Sequence, residues 1–181
     1  NETLPVVKVF WTKAIHEGPA LGDKVLAGGK DKHCWKYTGV NANSDPARMR
    51  YSFCFYFGAY NSRGSLLWAY NWGTRFNSAE GENWMICWDT PFSTIPTLSF
   101  EGLREAWDDR RYIETLKKTA KTKEQEADVQ SFLDNIFNIA VHSKTEGGED
   151  TVNDFWNEST DQKKLDEWRF LIADKIIKMS N

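Results

Sequence analysis

Hydrophobic and polar positions change rhythm partway along the chain. Up to about residue 98, apolar residues come in short, nearly unbroken runs; beyond it they recur every three or four places in a charged background. The first rhythm predicts strands, the second amphipathic helices. Val6 to Trp11 is β-branched and aromatic, and Lys32 to Val40 carries Cys34, Trp35 and Tyr37. Ser65 to Tyr70 and Trp84 to Trp88 read as strands covered on both faces. Between the second and third runs, Asp45 and Pro46 offer an N-cap and a first-turn proline. Met49, Phe53, Tyr56 or Phe57, and Tyr60 then follow at helical spacing, with Gly64 as a stop. A shorter helix is predicted between Pro19 and Ala27.

The second half predicts three helices. Ser99 is a candidate N-cap, and Leu103, Trp107, Ile113, Leu116 and Ala120 mark the inward face of the first. The next spans about Lys123 to Val141, with Phe132, Leu133, Ile136, Ile139 and Ala140 inward. The last spans about Asp161 to Met179 and uses Leu165, Trp168, Ile172, Ile176 and Met179, after a short helical turn near Asp154 to Trp156. Alternating strands and helices imply parallel pairing with right-handed crossovers. The expected fold class is therefore α/β: a partial (β/α) barrel or small open parallel sheet, followed by a C-terminal helical extension. Residues 1–98 would form the partial barrel. Residues 99–181 would hold the barrel-closing helix and the extension. Three or four such units fall short of an eight-stranded barrel, which needs at least ~200 residues.

Composition narrows the function classes. The 181 residues carry a net charge of −3, and the sequence shows none of the basic stripe that a nucleic-acid binder carries. No apolar run approaches the ~18 residues of a membrane span. The first residues, Asn1-Glu2-Thr3-Leu4, lack the basic and apolar regions of a signal peptide and an initiator Met. The expectation is a processed form, or a piece of something longer. Cys34, Cys54 and Cys87 are widely spaced among aromatics and read as small buried residues, not as a disulfide scaffold or zinc site. No metal or cofactor motif appears.

Nine tryptophans stand out. Trp35 and Tyr37, then Trp68, Tyr70 and Trp72, lie at or near the carboxyl ends of predicted strands, where parallel α/β folds open their ligand sites. Flat aromatic faces beside carboxylates suit a sugar ring, which stacks through C–H faces and hydrogen-bonds through hydroxyls. Asp89 follows the fourth predicted strand and is the best-placed acid, with a loop-capping role before Thr90-Pro91 as the alternative. Glu101, Glu105, Asp108 and Asp109 cluster on one predicted helix. Arg104, Arg110 and Arg111 are interleaved with them, so a structural salt-bridge network is favoured over acid–base chemistry.

The segments Cys34-Trp35-Lys36-Tyr37, Gly64 to Trp72, Pro96 to Glu105 and Asp108 to Ile113, with Arg48 and Arg50 after Asp45-Pro46, resemble the C-terminal region of bacterial glycoside-hydrolase-like barrel proteins. Those proteins carry a C-terminal domain of unknown function and are similar to glycoside hydrolase family 123. The resemblance covers about residues 33–120. It implies a carbohydrate-active barrel fragment that supplies aromatic sugar-binding residues. It also implies that the catalytic Asp-Glu pair is missing, because Asp166-Glu167 lies in the last predicted helix. The alternative is a non-catalytic carbohydrate-binding or interaction module. The expected setting is secreted, periplasmic or cell-surface. The expected partner is an oligosaccharide or glycan, with self-association through open sheet edges.

Overall fold

The computed structural model describes residues 9–13, 33–39, 45–59, 62, 64–68, 70, 87–141 and 162–180. The predicted Pro19–Ala27 helix, the turn near Asp154, and Trp72 lie outside them. By compactness the chain forms two units. One comprises Asn1–Pro46 with Tyr60–Glu101, the other Ala47–Ala59 with Gly102–Asn181.

In the first unit, β1 (Val9–Lys13) pairs parallel with β2 (His33–Gly39), which pairs parallel with β3 (Gly64–Trp68). Register places Trp11 beside Trp35, and Trp35 beside Gly64. That glycine has a packing reason. A Cβ there would sit 2.7 Å from Cε2 of the Trp35 indole, so only a bare Cα lets the ring lie close.

The fourth predicted strand departs from expectation. Its described part, Cys87–Asp89, is extended (β4) and pairs antiparallel with an unforeseen strand, Thr94–Pro96 (β5). A four-residue turn joins them, far too short for a parallel crossover. Thr90 closes it. Its N–H donates to the Ser93 carbonyl at 2.8 Å, and its Oγ1 accepts from the Ser93 N–H at 2.9 Å.

The helical unit begins with an unusual element. Between α1 (Pro46–Arg50) and α2 (Phe57–Ala59), residues Tyr51–Tyr56 form a π-helix. Buried Tyr51, Cys54, Phe55 and Tyr56 fill it. The three long helices are α3 (Leu98–Thr119), α4 (Lys123–Val141) and α5 (Gln162–Ser180). Thr97, not Ser99, caps α3: its Oγ1 accepts from the Phe100 N–H at 3.3 Å. At the start of α4, Thr122 and Gln125 form a reciprocal capping box. Thr122 Oγ1 accepts from the Gln125 N–H, and Gln125 Oε1 from the Thr122 N–H.

The core of this unit gathers the π-segment against the long helices. Phe55 meets Trp168 with ring centroids 4.9 Å apart. Leu133, Ile136, Phe137 and Ala140 of α4 are buried, as are Leu165 and Ile172 of α5. The Tyr51 hydroxyl donates to the Ala140 carbonyl. Gly58 lies so near α4 that a Cβ would stand 2.8 Å from Cε1 of Phe137.

These observations correct the α/β expectation. Most described residues are helical, and among them parallel pairing stops at three short strands, β1 to β3, that form no barrel. The physical reason is local. The segment that the barrel needs as its next parallel strand folds back on itself through the Thr90–Ser93 turn. Two inward assignments are also corrected. Trp107 is 68% exposed and Ile139 is exposed. The buried face of α3 runs through Gly102, Ala106, Asp109, Ile113 and Leu116, so a carboxylate occupies its middle position. A purely apolar reading sets the phase of that helix wrongly.

Candidate functional site

The densest chemistry in the described residues is a set of ion pairs inside the helical unit. Arg50 closes α1, and its side chain is fully buried. Its Nε donates to Asp109 Oδ2 at 2.5 Å and its Nη2 to Asp109 Oδ1 at 3.1 Å. Its Nη1 reaches Asp166 Oδ1 on α5 at 2.6 Å. Arg169, also on α5, donates through Nε to Asp109 Oδ1 and through Nη2 to Glu105 Oε2 at 2.8 Å. Burial opposes the charge on Arg50, but hydrogen bonds to Asp109 and Asp166 outweigh it and hold its pKa above the ordinary arginine value. The same balance, with Asp109 and Glu105 as partners, raises that of Arg169.

This arrangement fixes the chemistry of Asp109. Both its oxygens accept from guanidinium groups that stay protonated. It is buried beyond the reach of solvent. With both oxygens engaged by guanidinium groups and no solvent contact, Asp109 is an anchor of a structural salt-bridge network. The two arginines that matter, Arg50 and Arg169, are distant in sequence and are not the interleaved ones. The available signal was the buried phase of α3, which places Asp109 between Ala106 and Ile113. Beside the cluster, the Cys54 thiol is completely buried; desolvation, reinforced by the charge of Asp109, pushes its pKa well above the usual thiol range.

The six sugar-site residues expected from sequence fall differently. Trp35 is half-buried, with its indole resting on Gly64. Tyr37 is level with Leu66, and Trp68 with Gly39, along the parallel strands. Tyr70 is exposed, and its carbonyl accepts from the Cys87 N–H at 3.0 Å. Asp89 stands opposite Thr94 at the end of the antiparallel hairpin, so the parallel strand-end argument does not apply to it. Trp72 lies outside the described residues.

Outside the cluster, α3 and α5 each expose a large aromatic side chain. On α3, Trp107 lies between Arg104 and Arg111, and Asp108 bridges the two arginines at 3.7 and 3.4 Å. On α5, Phe170 is 71% exposed and borders a shallow groove with Leu171, Asp166, Glu167 and Asp174.

Among the described residues, no group of three or more His, Cys, Asp or Glu side chains could hold a metal ion. No helix there is long and apolar enough to cross a membrane. No protein-family model matches the chain, and no curated protein is significantly similar to it.

Proposed function

We propose that this chain is a non-catalytic binding module whose working surface is the outer row of α3. The observation that carries this reading is Trp107, 68% exposed at the centre of a 22-residue helix. Leaving so large an apolar side chain in water forgoes roughly 2–3 kcal/mol of burial. Trp168, by contrast, is sealed in the core of the same unit. Tryptophan and arginine are the residue types most enriched where binding energy concentrates in protein interfaces. Arg104 and Arg111 flank Trp107 on the same face of the helix.

The test is site-specific photo-crosslinking from Thr115, one turn beyond Arg111, in an extract of the cells that make the protein. Adducts that vanish with Trp107→Ala support the reading. Adducts indifferent to that substitution, or none at all, overturn it.

A second reading, carbohydrate binding by the strand aromatics, draws support from Trp35, whose indole packs against Gly64 yet is only half-buried. Glycan-array binding that is lost in Trp35→Ala and kept in Trp107→Ala would favour it over the first.

A further inference from the structure

The two exposed surfaces of the helical unit carry matched patterns of opposite sign. On α3, Arg104, Trp107 and Arg111 stand at positions i, i+3 and i+7. On α5, Glu167, Phe170 and Asp174 stand at the same i, i+3 and i+7. At about 1.5 Å of rise per residue, the outer charges of each set are ~10.5 Å apart along the helix. In both sets an exposed aromatic ring sits between them. Leu171 widens the apolar part of the α5 stripe, which borders a shallow groove of about 880 Å³.

We propose that the α3 row of one copy docks on the α5 stripe of a second copy of this chain. The proposal rests on reading the Trp107 row as a contact surface, and it names the partner. Two features favour a second copy. Trp107 needs an apolar counterpart to leave water, and Phe170 with Leu171 supplies one. The arginines need carboxylates at their own spacing, and Glu167 and Asp174 have it. Existing local pairs do not prevent the exchange. Glu105 and Asp108 hold Arg104, Asp108 also holds Arg111, Lys164 holds Glu167, and Lys178 holds Asp174, all in part-exposed settings. Pairs of that kind are worth about 0–1 kcal/mol.

The contact joins two different surfaces, so it is heterologous. Each copy carries both a row and a stripe, and association continues into rings or open chains instead of stopping at a two-fold dimer. Self-association thus belongs to the helices on this reading, not to the edges of a sheet.

Sedimentation velocity on the full chain tests this. The wild-type protein is expected to associate as concentration rises and to dissociate in high salt. The double reversals Arg104→Glu/Arg111→Glu and Glu167→Arg/Asp174→Arg should each weaken association at least about a hundredfold, because like charges then face each other. Mixing the two variants should restore it, since each then offers the other a complementary surface. Trp107→Ser and Phe170→Ser repeat the comparison without charge reversal, and circular dichroism confirms that each variant is folded. A wild-type chain that stays monomeric at every concentration overturns the proposal. So does association undiminished in either double variant, or a mixture of the two that remains monomeric. If the wild type is monomeric while Trp107-dependent crosslinks to another protein persist, the second copy is wrong as partner and the contact-surface reading stands.

Discussion

Arg50 and Asp109 meet in a two-point ion pair that solvent does not reach: their side chains are 1% and 0% exposed. Removing one partner leaves the other charge in a dry interior with a single remaining ion-pair partner, Asp166 for Arg50 or Arg169 for Asp109, which costs up to about 3–5 kcal/mol. Arg50→Met and Asp109→Asn are each expected to lose that much in urea denaturation. The double variant should lose less than the sum, because each single loss includes the same broken Arg50–Asp109 contact. Full additivity would mean that the pair is not coupled.

The two tryptophans of the helical unit separate surface from core. Trp168→Ala should cost about 3–5 kcal/mol by opening a cavity beside Phe55. Trp107→Ala should change stability by no more than about 0.5 kcal/mol, the usual range for an exposed position. Equal losses in thermal melts would contradict the exposure of Trp107.

Gly58 tolerates no side chain without movement of Phe137. Gly58→Ala should destabilise by about 1–3 kcal/mol through overpacking. Adding Phe137→Leu should recover part of the loss by clearing the ring from the new methyl group. Melting temperatures of the single and double variants check this.

Cys54 supplies a pH dependence with a definite sign. Its thiol pKa is raised by burial, so the folded state keeps its proton where the unfolded chain loses it. The contribution is fully present below the ordinary thiol value of about 8.5 and is lost as pH climbs above it. Stability should therefore fall more steeply above about pH 8.5 in the wild type than in Cys54→Ala, as read from urea midpoints across that range. In the native state Cys54 should also resist iodoacetamide until the chain unfolds, which peptide mass mapping would show.

The helical half was largely legible in the sequence. The α4 bounds, Lys123–Val141, match the prediction, because Thr122 and Gln125 cap the helix and Leu133, Ile136 and Ala140 set its phase. Leu165, Trp168 and Ile172 on α5 were read the same way. Phase failed where a polar residue took an inward position: Asp109 is buried only because Arg50 and Arg169 arrive from distant parts of the chain. Hydrophobic periodicity has no means of showing such a partner. The barrel reading failed at a turn. Pro91 after Thr90 signals a reversal, yet the apolar run before it looks the same in a parallel or an antiparallel strand. The charged residues at 101–112 form the ion-pair network that their spacing predicts, with Arg104 and Arg111 on Asp108, but the buried anchors Arg50 and Arg169 come from outside that stretch.

The compact units are not contiguous in sequence: Ala47–Ala59 belongs with Gly102–Asn181, while the chain on both sides of it belongs elsewhere. Severing the polypeptide near residue 98 would thus part the late helices from Arg50, Tyr51 and Phe55, which their interior requires. Grafting the helical body onto another protein therefore means carrying both stretches.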